Sequence, residues 1–600
     1  MQFPSVASAL AVLLASGLFP VSAQDVAQPA PLRMVEDVPG RLRALAAEHP
    51  GRARLEQVGR SLAGREILAL RLGPAEGEPP ALLVVGGLDG RRLGDSQALL
   101  LLAERLLSEA EPAAAATFAE ASLTLVPLAN PDGAAALLGQ DGPGREQAGN
   151  GRPEDADRDG RVDEDGPDDL DGDGLITWLR VPDPEGEWVV DDHDPRALRK
   201  ARRERGERGT HRLLPEGRDD DRDGSDSEDG RDGVQPDRNF MHGWKEHDPA
   251  GGQAPLSEPE SLALCDFVLA RPRIFAVLVI GAQDTLVELP KAEAKVPDNW
   301  EAPLPSLIDD DLAALKEVQR RLRALPGGKD HKVKGEGLTG GSFLAWTYHQ
   351  AGRLPLALRL WEPPAELPKP EADAEQGAPA GEGEGAAPSA PTAPGAGAPA
   401  EKPRDKGDDA DKDDEPGSDA SSPVPAAVLA WLDKEHPAGF RAWTAFTHPE
   451  LGEVEIGGLL PGTLHVTPPE VVAAKVPLLS GLVLAVLDAR PQLRFEDVRA
   501  ERGADGLYTL QAALVDVGAL PALTALAASA QTTRPVVVRL GLPEGGARLA
   551  GPLAMRTGRL TGGGGRQEFR WVVAAGPGDV VRLTADADAL PPVTTEVSLP

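Results

Sequence analysis

The sequence predicts an α/β fold with a largely parallel sheet, followed by an all-β, sandwich-like C-terminal domain. Three observations carry this. Four runs with almost no polar side chain, at 81–88, 121–130, 274–284 and 354–361, read as strands covered on both faces. Segments with helical apolar spacing separate them, notably 96–107, 257–270 and 310–325, and strands alternating with helices give a parallel sheet. The third observation concerns residues 491–600. Short alternating runs such as LYTLQAALVDVG, RPVVVRLGL, EFRWVVAAG and VVRLTADA, with turn signals between them, predict an antiparallel β-sandwich.

Taken in order, the chain opens with MQFPSVASALAVLLASGLFPVSAQ, an apolar core from Ala7 to Phe19 closed by Val21-Ser22-Ala23. That pattern predicts a signal peptide over 1–23 and a secreted, periplasmic or cell-surface protein. No later stretch reads as apolar enough to span a membrane. An α/β domain is expected over 30–363, starting with a helix at 38–47 and a hairpin turning at Leu62–Arg65. The strand from Ala81 leads into the polar turn Asp89-Gly90-Arg91-Arg92, where ligands bind in open α/β sheets. The strand from Ala121 ends in Asn130-Pro131-Asp132-Gly133.

Residues 150–233 break the pattern with Asp/Gly tracts. Asp155, Asp157 and Asp159 precede Gly160; Asp169, Asp171 and Asp173 precede Gly174; Asp219, Asp221 and Asp223 precede Gly224. Alternate carboxylates closing on glycine are how the first half of an EF-hand loop surrounds calcium with oxygen. The expectation is structural calcium, with Val162 and Ile176 anchoring the loops to a core; a disordered acidic loop is the alternative. Ser257 is the expected cap of the helix at 257–270. Residues 364–423 have the composition of a disordered acidic Pro/Ala/Gly linker. Residues 424–490 read as a helix-and-strand extension of the α/β domain, with helices at 424–434 and around 477–487.

Composition removes several functions. A net charge of −34 over 600 residues excludes phosphate-backbone binding, which needs a Lys/Arg surplus, and so nucleic acid. A single cysteine, Cys265, excludes an intramolecular disulfide framework and any Cys-rich metal site.

VGRSLAGREILALRLG, VVGGLDGRR, TLVPLANPDG, QPDRNF, SEPES and GGSFLAWTYHQAG with LALRLW, in that order, resemble the zinc carboxypeptidases of the carboxypeptidase A type, in a secreted bacterial branch. The resemblance covers Val35 to Trp361 and implies an α/β/α sandwich around a mixed sheet, with zinc at the carboxyl ends of the strands. It also implies that the zinc-ligand positions, a His and a Glu three apart and a later His, fall on Asp89, Arg92 and Gly281. The general-base Glu falls on Arg359, and the mobile Tyr falls near Glu336, the chain having only Tyr348 and Tyr508. Arg238, which in the family grips the substrate's terminal carboxylate, is kept, and its Asn neighbour is Asp237.

A catalytic zinc needs about three protein ligands and an open position. Glycine offers none, a guanidinium stays protonated, and Arg359 cannot accept the proton of a metal-bound water. The sequence therefore predicts a metallocarboxypeptidase-like pseudoenzyme that binds a peptide or other anion through Arg91, Arg92, Arg238 and Arg359. Pairing of each arginine with a local Asp, such as Asp89 or Asp237, is the competing reading. Two other functions stay open: an active carboxypeptidase or amidase whose metal moved to Asp89, Asp284 and His242, and a surface adhesion or matrix module. His247, Glu453 and Glu455 are weaker site candidates.

Overall fold

The computed structural model describes residues 37–108, 112–153, 160–163, 165–222, 224, 232–293, 306–365 and 424–600. The expected signal peptide, linker residues 366–423, and Asp155, Asp157, Asp159 and Asp223 lie outside them. The chain divides into two compact units. Met1–Leu179, Leu214–Glu362 and Leu460–Pro600 make up the first, and Arg180–Leu213 with Pro363–Leu459 the second.

The first unit is built on a mixed six-stranded sheet. Its strands are β1 (Ala53–Arg60), β2 (Glu66–Leu72), β3 (Ala81–Val85), β4 (Ser122–Val126), β5 (Ile274–Ile280) and β6 (Leu354–Leu358). Their order is β1-β2-β4-β3-β5-β6; β4, β3, β5 and β6 are parallel, and β2 runs antiparallel to β1 and β4. Side-chain alternation divides each buried strand between two cores. Leu82, Val84, Ala276, Leu278 and Ile280 enter one core with Leu70 and Leu72; Leu83, Val85, Val277 and Val279 enter the other with Ile67 and Ala69.

Helices cover both faces. These are α1 (Val38–Glu48), α2 (Leu93–Leu107), α3 (Pro259–Leu269), α4 (Asp309–Ala324), α5 (Phe343–His349) and α6 (Pro469–Asp488). The first core holds apolar residues of α1, α2, α4 and α6; the second holds those of α3 and α5. α6 corrects two expectations. It runs eight residues further toward the N-terminus than a start at Pro477 implies, and Pro477 lies inside it. It is also long and apolar enough to cross a membrane by length and composition. Instead Val472, Val476, Leu479, Leu482, Val483 and Val486 are buried in the first core, where packing outweighs the cost of an internal proline.

The C-terminal region of this unit consists of two four-stranded antiparallel sheets, as its alternation predicts. Tyr508, Leu510 and Leu514 from one sheet, with Phe569 and Trp571, meet Val538, Leu540, Val581 and Leu583 from the other in a common core. Asp311 of α4 joins this region to the α/β body. Its buried carboxylate accepts hydrogen bonds from the N–H groups of Ala525 (2.7 Å) and Leu526 (3.2 Å), from the Tyr348 hydroxyl (3.0 Å) and from Arg559 Nη2 (3.0 Å).

The second unit centres on another six-stranded sheet, in which Phe440–His448 and Gly452–Leu459 join Trp178–Pro182, His211–Pro215, Trp188–Val190 and Leu198–Lys200. Glu455 pairs there with Arg180, whose guanidinium also lies over the Trp443 ring at 4.8 Å. Residues 424–459 thus group with 180–213, whereas 460–488 complete the first unit.

Candidate functional site

Parallel neighbours place their carboxyl ends on one edge. Leu358 of β6 pairs with Ile280 of β5, and Val85 of β3 pairs with Val279, so Gly281 and Arg359 follow the last rungs and the Asp89–Arg92 turn follows β3. The four residues that the resemblance assigns to zinc and base chemistry therefore come to the same edge.

Each is committed elsewhere. Asp89 Oδ1 accepts from the N–H and Nε of Arg91, both at 3.0 Å, and Oδ2 accepts from Arg91 Nη2 at 2.9 Å. Burial pushes the Asp89 carboxyl up, but Arg91 outweighs it and holds the group below the usual carboxylate range. Arg92 turns inward to Asp95 in the first turn of α2, Nε to Oδ2 2.9 Å, with side-chain exposures of only 5% and 1%. Arg92 Nη2 and Asp95 Oδ1 have no hydrogen-bond partner, so this buried pair is incompletely satisfied. Burial, only partly offset by Arg92 and Arg359, raises Asp95. Burial and the neighbouring Arg92 charge lower Arg359, which donates to the carbonyls of Trp361 (3.2 Å) and Lys334 (3.3 Å) and stands 3.5 Å from Glu362.

This donor set does not fit zinc. Both Asp89 oxygens are held by a guanidinium, Arg92 is a cation, and Gly281 has no side chain. The relocated set does not assemble either. Asp284 accepts the N–H groups of Leu286, Val287 and Glu288, while His242 is buried and stacked on His349 at 3.5 Å between ring centroids. Among the described residues, the carboxylate or imidazole cluster tight enough to hold a metal is Asp169, Asp171 and Glu216, away from this edge in sequence. Neither tyrosine substitutes for the mobile one: Tyr348 is buried on Asp311, and Tyr508 is buried in the C-terminal core.

The arginines expected to bind an anion are likewise paired nearby. Arg238 pairs with Asp248 at 2.8 Å. Asp237 accepts the N–H of Phe343 at the start of α5, 2.9 Å. Burial, only partly offset by that bond, pushes Asp237 up to about 7, and the charges of Glu336 and Asp89 add to the rise. The SEPE phrase is structural: buried Glu258 and Glu260 receive Asn150 Nδ2 at 2.7 and 3.1 Å, and Glu260 also receives the N–H of Leu62. The helix begins at Pro259 after Glu258, and Ser257 donates to Glu258 instead of capping.

In the Asp-rich insertion, Asp169, Asp171, Asp173, Asp219 and Asp221 are described, and Glu216 is the residue that sequence reading missed. It is fully buried and receives the N–H groups of Leu170 (2.7 Å) and Thr177 (2.8 Å), with a ligand atom within 4.8 Å of those of Asp169 and Asp171. Asp169 itself closes the loop onto the N–H groups of Gly172, Asp173 and Gly174. Val162, the expected anchor of the first loop, is 56% exposed and anchors nothing. Glu453 bonds Thr447, Glu455 bonds Arg180, and His247 has a left-handed backbone (φ 67°).

A segment from the far side of the chain completes this edge. The Gly462 N–H donates to Glu146 Oε1 at 2.9 Å, and His465 Nδ1 lies 3.5 Å from Glu146 Oε2. Burial raises Glu146, but His465, the Gly462 N–H and Arg91 outweigh it and hold the carboxyl below its ordinary value. Thr467 rests on Gly94, where a Cβ would fall 2.5 Å from Thr467 Cβ. Lys475 of α6 reaches His331 Nδ1 (3.0 Å), whose Nε2 meets the Arg359 carbonyl (2.9 Å).

Residues 492–598 match a family described as a domain of unknown function (DUF8731). No curated protein matches the chain. Among solved structures, carboxypeptidase A from Helicoverpa armigera is 16% identical with a TM-score of 0.31, over 56% of this chain and 65% of that one. Bovine thrombin-activatable fibrinolysis inhibitor is 12% identical with a TM-score of 0.31, over 55% and 86%. A metallo-carboxypeptidase from Burkholderia cenocepacia is 15% identical with a TM-score of 0.29, over 53% and 58%. This chain thus spans less than two thirds of the first and third of these. The family model described as zinc carboxypeptidase matches residues 40–167, the stretch that holds β1 to β4, α2 and the Asp89–Arg92 turn.

Proposed function

We propose that this chain is an exported, catalytically silent relative of the zinc carboxypeptidases. The observation that supports it is the replacement of the metal-binding edge by two ion pairs, Asp89–Arg91 and Arg92–Asp95, beside Gly281 and Arg359. A general base must accept a proton, and the guanidinium at position 359 cannot. Purified protein is expected to carry no stoichiometric zinc and to leave a panel of peptides with free C-termini intact, with or without chelator. Stoichiometric zinc together with chelator-sensitive hydrolysis would restore the enzyme. A peptide or other anion remains the ligand that suits the old cleft. Arg359 is the arginine best placed for it, because its carboxylate contact, at 3.5 Å, is the longest of the four.

A second reading concerns calcium. The Asp169, Asp171 and Glu216 carboxylates favour one structural cation site in the insertion, where oxygen-rich loops take this ion. Calcium is expected to slow proteolysis between Asp169 and Ile176, and Asp171→Asn to abolish that protection. Equal protection in the variant would remove Asp171 from the ligand set.

A further inference from the structure

We propose that Arg353, Arg273 and Thr533 bind a phosphate-type oxyanion where the C-terminal region meets the amino edge of the first sheet. Among the described residues, the arginines buried by more than nine-tenths are Arg92, Arg180, Arg353 and Arg490. Arg92 holds Asp95, Arg180 holds Glu455 and Arg490 holds Glu120. Arg353 holds no carboxylate and no carbonyl, and its Nε is sealed in without a hydrogen-bond partner. A buried cation costs desolvation that a paired anion must offset, and in a chain of net charge −34 carboxylates are not scarce. Burial lowers Arg353, and the charge of Asp588 opposes that shift. The Asp588 carboxylate is itself taken by Arg534, whose N–H and Nε donate to it at 3.1 and 3.0 Å.

Topology brings a second guanidinium to the same edge. Arg353 immediately precedes β6 and Arg273 immediately precedes β5, parallel neighbours in which Leu354 pairs with Ala276. Both arginines therefore stand at the opposite end of the strands from the Asp89–Arg92 turn. Arg273 Nη1 donates to the carbonyls of Ala587 (3.1 Å) and Asp588 (3.2 Å), so its charge has no carboxylate against it either. Thr524 Oγ1 donates to the Gly352 carbonyl (3.4 Å), and a Cβ at left-handed Gly352 (φ +68°) would fall 2.8 Å from Thr533 Oγ1. That hydroxyl is buried and, like Arg353 Nε, has no partner. Two orphaned polar groups from distant segments thus flank one turn, with a second uncompensated cation on the same edge. Donors approaching from three separate elements suit a tetrahedral oxyanion, which offers acceptors in several directions, better than a planar carboxylate.

Calorimetric titration of the full chain with inorganic phosphate at fixed ionic strength tests the site. Saturable binding is expected, weakened about 10- to 100-fold by Arg353→Met, the factor carried by charge-assisted hydrogen bonds, and by less in Arg353→Lys and Thr533→Val. In phosphate-free buffer the thermal midpoint of Arg353→Met should equal or exceed that of the parent, because the variant loses an unpaired buried charge. A lower midpoint there would show that the protein itself satisfies the guanidinium and would overturn the site. Absence of phosphate binding, or binding that Arg353→Met leaves unchanged, would overturn it equally. Succinate bound as tightly as phosphate would overturn the tetrahedral assignment. Phenyl phosphate separates the sources: equal affinity marks a phosphoryl group on a larger molecule, and exclusion marks the free ion. None of these readouts involves the zinc-family edge or hydrolysis, so this site and the silent-enzyme reading fail separately.

Discussion

Asp95→Ala is expected to destabilise the first unit by about 3–5 kcal/mol, seen as a lower urea midpoint at pH 7. The substitution leaves the Arg92 guanidinium buried with no carboxylate against it. Desolvation of that cation then goes uncompensated, and Arg359, the neighbour whose own charge Arg92 already opposes, adds repulsion. The double variant Arg92→Met/Asp95→Leu should recover most of the loss, because removing both charges removes the desolvation cost together with the attraction. Arg92→Glu, which places there the ligand type that the resemblance implies, should be as damaging as Asp95→Ala, since it sets two carboxylates together in a buried place. A loss below about 1 kcal/mol for Asp95→Ala would mean that the pair behaves as a solvated surface bridge, and the account of this edge would fall.

The second large effect is expected at Asp311. Asp311→Ala removes the acceptor of four hydrogen bonds: the Tyr348 hydroxyl and two N–H groups at the start of Ala525–Ala530 lose their acceptor, and Arg559 keeps only the carbonyls of Leu523 and Asp310. A cost of about 3–5 kcal/mol follows from breaking a buried charge network by one partner. Limited proteolysis should then release residues 493–598 as a fragment, which the parent chain resists. Asp311→Asn keeps an acceptor oxygen and should lie between the two. Intact linkage in Asp311→Ala would show that apolar contacts, not this carboxylate, fasten the C-terminal sheets.

The sheet was legible because its strands are covered on both faces, so whole runs such as IFAVLVI are apolar and need no context. The candidate edge was partly legible where partners are close in sequence: Asp89, two residues from Arg91, was named as a local partner for an arginine, whereas Asp95, three beyond Arg92, and Asp248, ten beyond Arg238, were not. What stayed hidden depends on distant chain. Glu146 and Gly462 are 316 positions apart, and neither has a motif that announces the other. Glu216 looked like one more charge before a polar tract, and only Thr177, folded against it from another segment, makes it a buried acceptor. Pro477 suggested a helix boundary by local rule, but the apolar face on either side of it packs into the first core and decides otherwise.

The position of α6 in the chain has a consequence for biosynthesis. This helix fills a place against α2 in the α/β body, yet 106 residues, from Pro363 to Pro468, separate it from Glu362. During synthesis the sheet can pair while the apolar side of α2 still lacks its cover, and that side stays open until residue 488 has emerged from the ribosome. Nascent chains of this protein therefore carry an uncovered, leucine-rich helix face for the whole time that residues 363–468 are being translated, which makes the interval a natural point of chaperone dependence.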